Sequence, residues 1–134
     1  QERLLENHVA RLLNRAHFQF AEGKVGNDDF VVRFPFVRRD NEVVTDVIKP
    51  LFLGQADTTR ILTKGDNWIS KVKRLRRLNR LPANVLFALN APPVEAKPRF
   101  RAYNEIADEL KGLGVVVTEA SNDQAILGFA AQGK

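Results

Sequence analysis

The segment from residue 43 to residue 53 limits the fold of this chain more than any other feature of the sequence. Side chains on an extended strand point alternately to its two faces, and here both faces are apolar. A strand with two apolar faces is covered on both sides, which is typical of a central strand in a layered α/β sheet. The first face holds Val43, Val47, Leu51 and Leu53, and the second holds Val44, Ile48 and Phe52.

A second strand-like run, residues 30–37, precedes this segment. The residues between the two runs are polar, so the sequence predicts an antiparallel hairpin with its turn at 38–42. Pro35 has no backbone N–H to donate, which restricts the first run to an edge of the sheet or to a bulge. The hairpin therefore gives the central strand an antiparallel neighbour, residues 30–37.

The remaining periodic segments predict three helices and two further strands. Together with the hairpin they follow the order α-β-β-α-β-α-β, which is typical of a mixed central sheet flanked by helices. We therefore expect a single α/β domain over residues 1–134. The helices are expected at 2–16, from 66 or 67 to 81, and at 98–111, and the further strands at 84–90 and 115–118. A loop is expected around Gly23 and Gly26, and a loop or short helical link at 54–65. Residues 124–130 fit either a strand or a short helix.

The composition excludes several classes of protein. Hydrophobic residues make up 44% of the chain, which is ordinary for a globular domain and too high for a disordered one. The chain has no cysteine, which excludes a disulfide scaffold, a thiolate zinc site and cysteine catalysis. The absence of cysteine also fits a reducing cytoplasm, where we expect the protein. No apolar run reaches the roughly 18 residues that span a membrane, so we expect no membrane partner. Because the chain begins with Gln1 rather than Met, we expect it to be a piece of a longer protein.

Positive charge is concentrated in one stretch of the sequence. Between residues 60 and 80 eight basic residues and one acid give a local charge of +7, whereas the whole chain carries +5, so the rest sums to −2. A local basic patch of this kind is the usual electrostatic footprint of a protein that meets phosphate or another polyanion. The basic residues are Arg60, Lys64, Lys71, Lys73, Arg74, Arg76, Arg77 and Arg80, and the acid is Asp66.

A helical wheel places the basic residues of the second helix opposite an apolar stripe that includes Trp68 and Val72. No acid follows Asp66 on this helix to form i,i+4 ion pairs, so a partner anion would offset the repulsion. We predict that the helix lies along a nucleic-acid backbone and reads no base, since Asn79 is the only amide after its first-turn residues Asp66 and Asn67. The predicted contact residues are Lys73, Arg74, Arg77 and Arg80 on the outer face, with Lys71 and Arg76 at its margins.

The order of the elements resembles the core of the restriction-endonuclease-like, or PD-(D/E)XK, fold. The segments VIKPLFL, VLFALN and GVVVTEAS, with Trp68 in the helix that follows the first of them, are similar to those of uncharacterised bacterial and phage domains of this type. The resemblance extends from residue 30 to residue 129, which is most of the chain. In active members an Asp precedes a (D/E)-x-Lys triplet, and these residues bind magnesium and position a water for phosphodiester hydrolysis.

The resemblance implies four candidate catalytic residues. Lys49 takes the place of the motif lysine, Asp29 or its neighbour Asp28 that of the early acid, and Glu6 that of a helix acid. The triplet reads Val47-Ile48-Lys49, with valine where a metal-binding carboxylate belongs. The nearest acid, Asp46, lies three residues before Lys49 and faces the other side of an ideal strand. We therefore expect a fold of this type that binds nucleic acid without catalysis and without a metal or other cofactor.

Two other functions stay open on the sequence. The first is a magnesium-dependent nuclease that uses Asp46 and Lys49 with Asp29 or Glu6. The second is a protein-interaction module that docks an acidic partner on the same basic face, within a phage or defence system. A magnesium ion is expected only for the nuclease, because backbone binding requires no cofactor.

Overall fold

The computed structural model of the protein describes residues 1–133 as one five-stranded sheet flanked by four helices. The expected fold class, a single α/β domain with a mixed central sheet, is confirmed. None of the helices in this part of the chain combines the length and the apolar character needed to cross a bilayer. The elements are α1 (Glu2–Arg15), β1 (Ala21–Gly26), β2 (Val31–Asp40), β3 (Val43–Phe52), α2 (Thr58–Arg77), β4 (Asn84–Asn90), α3 (Lys97–Gly112), β5 (Val116–Glu119) and α4 (Asp123–Gln132).

The sheet joins an antiparallel part and a parallel part through β3. Its strands lie in the order β1-β2-β3-β4-β5, with β1, β2 and β3 antiparallel and with β4 and β5 parallel to β3. Parallel neighbours need a crossover connection, and α2 and α3 supply the two crossovers. These helices pack together on one face of the sheet, while α1 and α4 cover the other face.

Strand β3 is the central strand that its two apolar faces predict. Val47 and Leu51 belong to the core under α2 and α3, and Ile48 belongs to the core under α1 and α4. All three side chains are fully buried. Burial of each contributes about 1.5–3 kcal/mol relative to an exposed side chain. Strand β3 therefore packs against both helical layers, one on each face of the sheet.

A bulge beside Pro35 allows β2 to lie inside the sheet although proline cannot donate a hydrogen bond. A step of two residues along β1, from Ala21 to Gly23, is matched by a step of three along β2, from Val37 to Phe34. Proline is tolerated at such an irregularity because the ladder is already interrupted there. Of the two positions that Pro35 predicts, the structure has the bulge, since β2 has a neighbouring strand on each side.

A second bulge, at Thr45, changes the predicted faces of β3. The register with β2 shifts by one residue between Val44 and Asp46, so Thr45 is the extra residue. An extra residue reverses the alternation of the side chains that precede it. Val44 therefore packs against the core under α2 and α3, and Val43 is 65% exposed. The expectation that Val43 shares the buried face of Val47 is wrong.

One segment differs from its sequence expectation because distant backbone completes it, and a second segment takes one of the two forms that the sequence left open. The loop expected around Gly23 and Gly26 is edge strand β1, which forms because the free edge of β2 offers backbone partners from Val31 to Val37. The ambiguous segment at 124–130 is part of helix α4, which packs on α1 and on β4. Both additions lie outside the expected order but leave the predicted fold class unchanged.

Helix α2 begins and ends earlier than its apolar pattern predicts. It begins at Thr58, because the Asp57 side chain accepts a hydrogen bond from the Arg60 backbone N–H at 2.8 Å and caps the helix. It ends at Arg77, and Asn79 then takes a left-handed conformation with φ of 56°. The predicted start at residue 66 or 67 and the predicted end at residue 81 are therefore corrected.

Gly65 allows α2 and α3 to pack closely, and its replacement tests this contact. A Cβ at Gly65 would lie 2.7 Å from Cγ2 of buried Ile106 and nearer still to Cγ1. Overpacking of this kind costs about 1–3 kcal/mol, which exceeds the gain of up to about 1 kcal/mol in helix propensity. We expect Gly65→Ala to lower the free energy of unfolding, measured by urea denaturation, and to do so less in an Ile106→Ala background, which removes all three atoms that the new Cβ would meet.

Gly128→Ala is the matched control, because an added Cβ in α4 would meet nothing within 4 Å. This substitution should raise the free energy of unfolding by about 0.5–1 kcal/mol. Equal stabilisation by Gly65→Ala and Gly128→Ala would contradict the close contact between α2 and α3.

Candidate nucleic-acid interface

Helix α2 is held on the sheet by the side chains of its inner face. Trp68 contacts Phe34 of β2 and Phe87 of β4, with ring centroids 5.6 Å and 5.9 Å away. Aromatic pairs at these distances contribute about 0.5–1.5 kcal/mol beyond the burial of their area. Val72 and Leu75 continue this face and are fully buried. These contacts determine which side of α2 faces solvent, and that side is the one that the helical wheel predicts.

The opposite side of α2 carries the predicted basic residues. Four of them are exposed on the helix, a fifth is half-buried at its margin, and the sixth is exposed just beyond its last residue. We call these six residues the α2 cation surface. In that order they are Lys73, Arg74, Arg76 and Arg77, then Lys71, then Arg80.

The turn after α2 keeps Arg80 with the other cations although it lies outside the helix. Its backbone N–H donates to the carbonyl of Leu75 at 2.8 Å, and the N–H of Asn79 donates to the carbonyl of Arg76 at 3.1 Å. A left-handed residue such as Asn79 is what permits this closure of a helix end. The backbone of Arg80 is therefore fixed to the last turn of the helix.

No residue of the α2 cation surface has a carboxylate partner within 4.0 Å in the part of the chain that the structure describes. Their contacts are neutral instead, as where Arg76 Nη1 donates to the Leu113 carbonyl at 3.0 Å. Asp66 and Glu109 line the same shallow depression as two of the cations without forming an ion pair. The positive charges of this surface are therefore not neutralised by ion pairs within the described residues.

Lys71 connects this surface to the interior. Its Nζ lies 4.1 Å from the ring centroid of Trp68, and Nζ of Lys49 lies 4.9 Å from the same centroid. Burial lowers the pKa of Lys71, and the positive charge of Lys49 lowers it further. The protonated form of Lys71 therefore costs free energy in the folded protein, and an anion beside it would reduce that cost.

Lys49, the candidate motif lysine, forms a buried ion cluster with helix α1. Its side chain is 7% exposed, and its Nζ donates to Glu2 at 2.8 Å and to Glu6 at 3.4 Å. The two acids are four residues apart on α1, so they lie on one side of that helix. Of the four catalytic candidates, only Glu6 thus reaches Lys49. Glu2 was missed from sequence, although its spacing from Glu6 was a signal that could have found it.

Glu2 is the centre of this cluster. Its Oε1 accepts hydrogen bonds from Lys64 Nζ at 2.6 Å and from the Phe52 backbone N–H at 2.8 Å. That N–H is accessible because β2 pairs with β3 only as far as Ile48. Burial by itself would raise the pKa of Glu2, but the hydrogen bonds from Lys49, Lys64 and Phe52 outweigh it and lower the pKa. Glu2 is therefore held as a carboxylate that offsets two lysines.

Asp46 lies on the face of β3 that α4 covers, whereas Lys49 lies on the α2 face, with its Nζ 4.9 Å from the Trp68 ring centroid. Lys49 meets Glu2 of α1 at the edge of β3 beyond Ile48, where the Phe52 backbone N–H also donates to Glu2. It is 1% exposed, and its Oδ2 accepts hydrogen bonds from Arg38 Nε at 3.2 Å and from Thr45 Oγ1 at 2.6 Å. Arg38 also donates to the carbonyl of Ala130, which places the pair under α4. The bulge at Thr45 precedes both Asp46 and Lys49, so it does not turn them toward each other.

Asp29 forms no ion pair with Lys49 in the described residues. It lies in the exposed turn before β2, where its backbone N–H donates to Asn27 Oδ1 at 2.9 Å. Within residues 1–133 no three His, Cys, Asp or Glu side chains are grouped so as to hold a metal ion. The convergence of Asp46, Lys49 and a further acid that the nuclease alternative requires is not found in this structure.

Comparisons with known proteins give no indication of the function, so its assignment rests on the residues described above. No protein-family model, no curated protein and no solved structure matches the chain. The resemblance to restriction-endonuclease-like domains therefore stays a prediction.

The role of Glu2 is tested by Glu2→Gln, which removes the charge and keeps the shape. Near pH 7 we expect a loss of about 1–3 kcal/mol in the free energy of unfolding, because Lys49 loses its closest acid. A carboxylate with a lowered pKa contributes stability above its ordinary value of 4.5 and loses it as the pH falls through the lowered value. The difference between wild type and Glu2→Gln should therefore shrink below pH 4.5 in urea denaturation.

Glu105→Gln is the control, because Glu105 is exposed on α3 and forms no ion pair in the described residues. It should change the free energy of unfolding by less than about 0.5 kcal/mol. A Glu2→Gln effect that is no larger than this, or that is the same at every pH, would rule out the ion cluster as a source of stability.

Proposed function

We propose that this protein binds nucleic acid through its phosphate backbone, using the α2 cation surface. The observation that carries the proposal is the absence of carboxylate partners for six cations within residues 71–80 of the described chain. The basic patch in the sequence and the helix geometry support the same assignment. The proposed activity is binding without catalysis.

The repulsion among these cations is only partly offset within the protein. Arg74, Arg76 and Arg77 lie in the last turn of α2, where the carbonyl end of the helix favours a cation by about 0.3–1 kcal/mol each. Lys71, by contrast, has a pKa lowered by burial and by the neighbouring charge of Lys49. A polyanion would supply the missing negative charge to all six residues at once.

The density of charge favours a nucleic-acid backbone over an acidic protein surface. The helical part of the α2 cation surface, from Lys71 to Arg77, extends about 9 Å along the helix axis. Duplex DNA carries one phosphate per about 1.7 Å of its axis, so about five phosphates lie within that length. Four of the six cations are arginines, whose planar fork of donors matches the oxygens of a phosphate.

The same geometry supports binding without a sequence preference. Contacts to phosphates position a protein on the nucleic acid but carry no base information. The side chains of the α2 cation surface are all lysine or arginine: four are exposed on the helix, Lys71 is half-buried at its margin, and Arg80 follows its end. Binding through six phosphates should give a salt slope of about −5 on duplex DNA.

The two alternatives have less support from the described geometry. A nuclease that uses Asp46 with Lys49 would need side chains that here lie on opposite faces of β3. An acidic protein partner would meet the same six cations, but it would have to match a denser row of charge than most protein surfaces present. Both alternatives stay predictions.

Charge reversal on α2 tests the proposal. We expect Arg74→Glu/Arg77→Glu to weaken binding of a labelled DNA duplex of about 20 base pairs roughly tenfold or more, and to make the salt slope shallower by about 2. The reason is that two phosphate contacts are lost and replaced by repulsion. Fluorescence anisotropy at several salt concentrations, on duplex and single-stranded DNA and RNA, measures both quantities.

The control is Arg11→Glu/Arg15→Glu, which makes the same charge change on exposed positions of α1, on the other face of the sheet. It should leave the affinity within about twofold of wild type apart from the general effect of net charge. The proposal is overturned if wild type binds none of the four probes, or if both double variants weaken binding equally.

A further inference from the structure

A cleft of about 500 Å³ lies next to the end of α2 that carries Arg80. One wall comes from β1, β2 and β3 near their hairpin, and the other comes from the turn between α2 and β4. Three cations and one acid line it, a formal charge of +2. We call it the hairpin cleft, and its charged residues are Lys24, Arg39, Arg80 and Glu42.

The arginines of the hairpin cleft are oriented by neutral groups. Arg39 donates to the backbone carbonyls of Glu42 at 3.4 Å and of Lys24 at 3.5 Å, and Arg80 donates to the carbonyl of Asn79 at 3.4 Å. None of the three cations, nor the Glu42 carboxylate, belongs to an ion pair among residues 1–133. Their charges are therefore held near one another and available to a ligand.

The walls of the cleft strengthen its interaction with an anion. Val43, Leu81 and Pro82 line it beside the cations, and Val43 is one of the exposed large apolar side chains of the protein. Apolar walls lower the local dielectric constant, so a phosphate between them interacts more strongly with a nearby charge than it would in water. Val43 is exposed because of the bulge at Thr45, which thus shapes the rim of the cleft.

The cleft is built on backbone that is already ordered. Lys24 and Arg39 lie in the ladders of β1 with β2 and of β2 with β3, and Arg80 follows the closed turn at Asn79. A preformed site loses little conformational entropy when a ligand binds. Arg80 also belongs to the α2 cation surface, so the two surfaces are continuous.

We infer that the hairpin cleft takes the nucleic-acid backbone where it leaves α2, with a phosphate group bound between Lys24, Arg39 and Arg80. This inference rests on the proposed function, because it gives the same ligand a second contact surface. The backbone then runs from the exposed face of α2 into the end of the β-hairpin. The protein grips the nucleic acid from a helix and from a sheet rather than from the helix alone.

The test is Lys24→Glu/Arg39→Glu in the duplex-binding assay. We expect a roughly tenfold loss of affinity and a salt slope shallower by about 2, because two backbone contacts outside α2 are removed. In case charge reversal disturbs the hairpin, Lys24→Gln/Arg39→Gln removes the charges without repulsion and should give the same change in slope with a smaller loss of affinity. Arg11→Glu/Arg15→Glu is again the matched control.

The outcomes separate this inference from the proposed function. Wild-type affinity and slope for both cleft variants, with weakened binding by Arg74→Glu/Arg77→Glu, overturns the inference and leaves the α2 assignment intact. Weakened binding by the cleft variants alone overturns the α2 assignment and supports the cleft. Binding of polyglutamate but of no nucleic-acid probe by the wild type overturns both.

Discussion

The packing of Trp68 against Phe34 and Phe87 is the contact on which the rest of the molecule depends. It joins α2 to both the antiparallel and the parallel part of the sheet, because Phe34 belongs to β2 and Phe87 to β4. Because the Trp68 indole points inward, the residues on the opposite side of α2 face solvent. The orientation of the α2 cation surface is thus a consequence of core packing, and no charge on that surface has to determine it.

The cations of this protein fall into two groups, those with carboxylate partners and those without such partners in the described residues. Lys49 and Lys64 lie near the sheet, where Glu2 and Glu6 neutralise them within hydrogen-bond distance. Burial makes such neutralisation necessary, because an unpaired charge inside a protein costs several kcal/mol. The residues of the α2 cation surface and of the hairpin cleft have no such ion-pair partners in the described residues, and most of them are exposed to water. The cations without ion-pair partners are therefore the ones that are available to an anionic ligand.

Local patterns were sufficient for elements whose own side chains decide their structure. The helical stripe with Trp68 and Val72 predicted the buried face of α2, and the apolar faces of β3 predicted a central strand. Patterns were insufficient where a distant backbone completes an element. Residues 21–26 read as a loop because of their glycines, and only pairing with β2 makes them a strand. The bulge at Thr45 reversed Val43 and Val44 for the same reason, since register is a property of two strands.

The candidate site likewise combines features that local sequence patterns predict with features that only the tertiary structure brings together. The six cations at residues 71–80 are neighbours in sequence, so helical periodicity alone predicted four of them on the outer face of the helix and two at its margins, with a polyanion as their ligand. The separation of Asp46 from Lys49 also followed from strand alternation. The meeting of Lys24, Arg39 and Arg80 in one cleft, and of Glu2 with Lys49 and Lys64, could not be read in this way. These groups are far apart along the chain, and only the pairing of strands and the packing of helices on them bring their charges together.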